Sequence, residues 1–213
     1  MRTHLHDYVI KYYPEFDTME TYSAEDVVSI RGINEEWGIL GNFAHTPICV
    51  KGVAFDTSER LFQTMKMKDA DAVRMVYNTK AGFKYKVRHI ESAEPELLRE
   101  DWGRIFIDAM KFCLQIKYEQ SESFRHTLSL TGNRIIVEDQ TKFPGRNANT
   151  WGAKLKGDSF VGPNVLGKLL MSLRDQGKLD YVLPEDILDF LALLYYVRAR
   201  GKSMKEGQNY KIG

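Results

Sequence analysis

WGAKLKGDSFVGPNVLGKLLMSLR, residues Trp151 to Arg174, joins a Trp-Gly pair, a loop with glycines at 157 and 162, and the start of a helix. Pro163 or Asn164 begins that helix, because proline suits a first turn whose N–H groups are unpaired, and Gly162 stands at the cap. Val165, Leu166, Leu169, Leu170 and Leu173 then recur at the helical period as one apolar face. Gly177 follows as a C′ residue. Gly167, on the opposite face, costs a helix interior about 1 kcal/mol relative to alanine, so something must approach the backbone there. The N–H groups of such a helix start can hold an anion, although an ordinary helix start after an irregular loop is the plainer reading. Gly162 to Lys168 has the spacing of a phosphate loop up to its lysine. Leu169, however, stands where that motif needs a hydroxyl, and DSFV is too short and polar for its buried strand.

Upstream, strands are expected at Val27–Arg31, at Ile48–Phe55 with Gly52 as a turn or bulge, and at Arg134–Glu138. Asp56, Thr57 and Ser58 offer caps for a helix through about Lys68. Residues 95–118 read as a long helix with Trp102 on its buried stripe, residues 123–130 as a short one, and Pro184 as the start of a last helix that Gly201 ends. Residues 1–26 read as an N-terminal extension, 27–202 as a single domain and 203–213 as a polar tail. The expected fold is mainly α: one compact helical domain in which a few short strands make a minor α+β component.

The 213 residues are 43% apolar and 28% charged, with a net charge of +1, so no overall field draws the chain to nucleic acid or membrane. Cys49 and Cys113 are too few for a disulfide framework or a metal knuckle, and five scattered histidines suggest no zinc site. Neither a metal nor a cofactor is expected. No apolar run reaches membrane length, so the expectation is a cytoplasmic protein.

Two stretches carry chemistry. Glu59, Gln63 and Lys66 lie at i, i+4 and i+7 and share one helix face. A solvated polar face is the ordinary explanation. The functional one is an acid, an amide and an amine converging on a cleft, able to protonate a leaving group, orient a substrate and attack a carbon. In residues 78–90, Lys80, Lys84, Lys86 and Arg88 alternate around Phe83 and Tyr85. This reads as an edge strand guarded by lysines, while the same alternation can grip a nucleic-acid backbone and stack on bases.

Taken in order, several segments resemble the NADAR (YbiA-like) family: Gly41-Asn42-Phe43, Ser58-Glu59 with Phe62-Gln63 and Lys66, and Lys111-Phe112 with Gln115. Leu128 with Thr131-Gly132, Ile136-Val137-Glu138, Trp151-Gly152 to Gly162, Asn164-Val-Leu-Gly167, Leu170-Met171 and Arg174 continue the match, which spans roughly residues 37–176. The resemblance implies a compact helical domain and N-glycosidase activity. Family members cleave ribosylamine intermediates of riboflavin synthesis. Others remove ADP-ribose from the guanine amino group of nucleic acid, in some cases as antitoxins paired with a DarT-type ADP-ribosyltransferase. This chain has Ala148 where many members have an aspartate before the Trp-Gly pair. The longer loop and the basic 78–90 stretch favour the guanine-ADP-ribose branch.

On this resemblance Glu59 is the general acid/base and Lys66 a nucleophile forming a Schiff base with the sugar C1, with Gln63 orienting the substrate. Asn42 would hydrogen-bond ribose or base, and Phe43, Trp102 or Trp151, with Gly152 beside it, would stack on a ring. Gly162 to Asn164 would take a phosphate, and Glu138 would accept from a ribose hydroxyl or a guanine edge.

Overall fold

The computed structural model describes residues 5–194. Helix α1 (Leu5–Tyr12) leads to strands β1 (Glu20–Ser23) and β2 (Val27–Ile30). The segment read as an N-terminal extension is woven into the body. Val9 and Tyr13 are buried, and a Cβ on Gly103 would lie 2.2 Å from the Tyr8 ring, so only glycine lets α1 seat there. After a 3-10 turn at Gly38–Leu40, β3 (Ile48–Val50) and β4 (Val53–Phe55) form a hairpin. Lys51 and Gly52 both take positive φ in its turn, as a tight hairpin requires.

Helices α2 (Ser58–Met65), α3 (Ala70–Asn78) and α4 (Phe83–Ala93) follow, then α5 (Trp102–Gln120) and α6 (Glu122–Leu130). The chain continues through β5 (Ile135–Glu138), β6 (Lys154–Lys156), β7 (Ser159–Gly162) and α7 (Val165–Gln176). The core gathers on α5, whose Ile105, Phe106, Ala109, Met110, Cys113 and Leu114 are buried against Leu61, Phe62 and Met65 of α2 and the apolar face of α7.

The mainly α expectation is overturned. The fold is α+β, with about 49% of the described residues in helix and 15% in strand. Its strands form an antiparallel β1-β7-β6 sheet, a parallel β2-β5 pair and the β3-β4 hairpin. Each strand is three or four residues long, too short to display alternation. Partners also come from far apart in sequence, as in Glu20↔Gly162 and Val28↔Ile136.

Other expectations are corrected locally. Residues 78–90 are not an edge strand. Gly82, at φ 73, turns the chain into α4, which buries Phe83, Val87 and Ile90 at i, i+4 and i+7. The expected helix over residues 95–118 is a 3-10 turn at Pro95–Leu97 followed by α5. Helix α7 begins at Val165, with Asn164 as cap in the left-handed region and Gly162 closing β7, while Gly177 ends it at φ 71. Pro184 precedes a 3-10 turn, Glu185–Leu188. The expected end of the last helix at Gly201 and the polar tail lie outside the described residues. Among the described residues no helix is long and apolar enough to cross a membrane.

Candidate active site

Every residue of α2 is buried, so its polar face is not a solvated one. Leu61, Phe62 and Met65 point into the core. Glu59, Gln63 and Lys66 are only 6%, 8% and 8% exposed and meet α4 and the end of β5 instead of water. The first turn of α2 is fixed by Thr57, whose Oγ1 accepts from the Arg60 amide at 3.1 Å, and by Asn42. The Asn42 carbonyl accepts from the Glu59 amide at 3.0 Å and its Oδ1 from Ser58 Oγ at 3.1 Å. Asn42 Nδ2 faces Met110 Sδ at 3.1 Å. Its side chain therefore anchors the helix that carries the cluster.

Gln63 Nε2 donates to Glu59 Oε1 at 3.0 Å, and Lys84 Nζ of α4 stands 3.8 Å from the same oxygen. Lys84 also lies 4.5 Å from the centre of the Phe43 ring, which is 39% exposed and tilted against Phe83 at 6.2 Å. Lys66 Nζ is ion-paired with Glu91 of α4 and sits 5.9 Å over the Trp102 ring. Glu138, at the end of β5, completes the group. Burial, followed by the negative charge of Glu59, pushes its carboxyl up to about 8, against the opposing charge of Lys84. Glu138 Oε2 and Gln63 Oε1 are both buried without a hydrogen-bond partner among the described residues. Unmet polar atoms of this kind are costly unless a ligand satisfies them.

The remaining expected site residues form the frame. Trp102 is buried against Phe62, with ring centres 5.0 Å apart, and Trp151 packs edge-on to Phe62 and Phe106 at 5.8 and 5.5 Å. A Cβ on Gly152 would lie 2.3 Å from the Glu138 carbonyl oxygen, one on Gly162 2.4 Å from that of Gly152, and one on Gly167 2.1 Å from that of Ile136. What approaches Gly167 is thus strand β5. Asn164 is fully buried; its Nδ2 donates to the Ile136 carbonyl at 2.8 Å and its Oδ1 accepts from the Glu138 amide at 3.0 Å. The amides of Asn164, Val165 and Leu166 donate to the carbonyls of Gly152, Thr150 and Trp151. The amide donors at the start of α7, where a phosphate was expected, are thus engaged by the Trp-Gly loop. Where the family aspartate would precede that loop, Ala148 is followed by Asn149, which exchanges two hydrogen bonds with Gln140 and closes the loop.

Lys84 and Glu91 were missing from the set expected on sequence. Both sit on α4 seven residues apart, hence on one helical face. Arg60 holds that helix in place: its guanidinium donates to the carbonyls of Val76, Tyr77, Thr79 and Lys80 and lies 4.3 Å over the Phe83 ring.

A NADAR domain matches residues 31–177. The chain belongs to the NADAR family. As a NADAR protein it is 28% identical over 152 residues to N-glycosidase YbiA of Escherichia coli (strain K12), covering 71% of this chain and 89% of that one. It is 27% identical over 158 residues to riboflavin biosynthesis protein VVA0006 of Vibrio vulnificus (strain YJ016), covering 74% of this chain but 40% of that protein. The NMR structure of E. coli YbiA aligns with a TM-score of 0.57 at 27% identity, over 70% of this chain and 83% of that one. The family resemblance carried by residues 37–176 is thereby borne out.

Proposed function

We propose that this NADAR protein is an N-glycosidase that hydrolyses the bond between ADP-ribose and the guanine amino group in nucleic acid. The observation that carries the glycosidase reading is the buried acid, amide and amine of α2, held beside a second carboxyl, Glu138. Relatives named as N-glycosidases support it.

The sugar C1 in such a substrate bears an exocyclic amine, so its ring can open to an imine. Glu59 manages a proton at this centre, and Lys66 attacks C1 to form a Schiff base that water then hydrolyses. Glu91, ion-paired with Lys66, takes the proton an attacking amine must lose. Phe43 stacks on a ring, and Lys84 meets the diphosphate in place of the α7 start. Trp102 and Trp151 back the pocket.

The choice of nucleic acid rests on the outer face of α4. Lys86 and Arg88 are exposed beside Tyr85, which is 74% exposed, with the Arg88 guanidinium 5.8 Å from its ring centre. A cationic face carrying an open aromatic suits a phosphate backbone with stackable bases. On this reading a DarT-type ADP-ribosyltransferase, which would make the modified base, is the functional partner.

The name of the Vibrio relative favours a second reading, a ribosylamine intermediate of riboflavin synthesis as substrate. Incubation with guanine-ADP-ribosylated single-stranded DNA and with the ribosylaminopyrimidine phosphate, side by side, separates the two. Faster release of ADP-ribose from the DNA is expected, and cleavage of the pyrimidine substrate alone would reverse the assignment. Tight ADP-ribose binding without turnover of either would identify a non-catalytic reader.

A further inference from the structure

We infer that Glu138, not Glu59, is the acid that delivers the proton to the leaving amine. This rests on the N-glycosidase reading and divides labour within that site. Glu59 from α2 and Glu138 from β5 act on one space, and Lys84 is felt by both. Their surroundings are unequal. Glu59 Oε1 accepts from Gln63 and faces the Lys84 ammonium. Glu138 Oε2 is buried and touches no donor. A buried carboxylate without a donor is costly, whereas a carboxylic acid there has an O–H to offer an incoming nitrogen.

The charged groups facing Glu138 point the same way. Glu59 from α2 and Asp139, the next residue after β5, disfavour its anion, and only Lys84 from α4 favours it, so the proton is held up to about pH 8. Ordinary hydrogen bonds fix its backbone: the amide donates to Asn164 Oδ1 at 3.0 Å and the carbonyl accepts from the Ala153 amide at 2.9 Å. Gly152 permits that close approach. An acid aimed by its own strand in this way needs no rearrangement to act.

In the step itself, Glu59 relays the exocyclic N–H proton to the ring oxygen, so the ring C1–O bond breaks and C1 becomes doubly bonded to nitrogen. Lys66, having passed a proton to Glu91, adds to C1. The exocyclic nitrogen takes the Glu138 proton and one from the Lys66 nitrogen and leaves with its electron pair, and the Schiff base on Lys66 remains. Water adds to C1 and returns a proton to the Glu138 carboxylate, Lys66 departs and recovers its own proton from Glu91, and the freed ring hydroxyl closes on the C1 aldehyde. The net change is one water added across C1–N.

Glu138→Gln in the full chain tests this. It is expected to lower kcat on the amine-linked substrate roughly 10²- to 10⁴-fold, to leave ADP-ribose affinity within about threefold, and to abolish the alkaline limb of the pH–rate profile. On an N-ribosyl nitroaniline, which keeps the N–H but whose electron-poor amine leaves with little help from an acid, the loss shrinks to under about tenfold. Glu138→Asp, which keeps an acid, retains part of the activity and serves as the folding control. Unchanged kcat, or equal losses on both substrates together with weakened ADP-ribose binding, would overturn the assignment and leave the glycosidase reading standing. Absence of turnover by the wild type on every glycosylamine would remove both.

Discussion

Lys66 is the residue on which the covalent half of the chemistry turns. It caps the C-terminus of α2, is almost wholly buried, and has Glu91 as its ion-pair partner. An amine so placed can reach a carbon only after giving its proton to that neighbour. Borohydride added during turnover should therefore trap a sugar adduct on Lys66, seen as a mass increase on its peptide, and Lys66→Arg should show none. Turnover by the wild type with no trapped adduct would argue for direct attack by water. Glu59, Gln63 and Lys66 were legible as one face because the helical period alone brings them together. Glu91 was not, because its relation to Lys66 exists only once two helices pack. Asn42 and Asn164 carry a second role that sequence could not show, since their side chains bond the backbone and side chains around the site.

At the scale of elements, two lessons come from α4 and α7. Lysines and arginine at every second position of residues 84–88 imitate a strand, and that alternation hid the i, i+4, i+7 burial of Phe83, Val87 and Ile90. Burial follows the apolar residues; the solvated charges are free to take any spacing. The same exposed charges make a prediction. Lys86→Glu with Arg88→Glu should weaken turnover of guanine-ADP-ribosylated DNA by roughly tenfold or more at low salt, with little change on free ADP-ribosyl-guanosine. Equal effects on both would deny α4 a role in holding the strand. In α7, Gly167 was readable as a close approach, though its partner, the Ile136 carbonyl, was not. Gly167→Ala must push α7 off β5 and should cost roughly 3 kcal/mol, measured by denaturant unfolding. A neutral or stabilising outcome would mean that the packing yields more easily than this geometry allows. Helix α3 went unread although Asp69 caps it by accepting from the Asp71 and Ala72 amides. Its two short turns simply lack a long periodic run.

The whole molecule is held together by contacts between distant segments, which is why its strands were the hardest part to foresee. Strand β1 closes on β7, and β2 lies parallel to β5. Lys117 ties α5 to the loop that carries Asn42 and Phe43. Fully buried, it donates to the carbonyls of Ile39 and Gly41 at 2.8 and 2.9 Å, over the Phe124 ring. Burial pulls its ammonium down to about 7. Below that pH the folded state carries the full cost of the buried charge. Between about 7 and the unfolded value near 10 the unfolded chain binds more protons, so stability should rise with pH. The wild type should therefore gain on Lys117→Met in thermal unfolding as pH is raised through this window, and a constant difference would show that Lys117 does not titrate there.

The central claim is that the buried acid, amide and amine of α2 break an N-glycosidic bond, and release of free ADP-ribose from guanine-ADP-ribosylated single-stranded DNA by wild type and Glu59→Gln tests it most directly. The wild type is expected to release it catalytically, with Glu59→Gln slower by roughly 10²- to 10⁴-fold at unchanged affinity for ADP-ribose. Equal rates for the two proteins, or no release by the wild type from this substrate or from a ribosylamine, would contradict it.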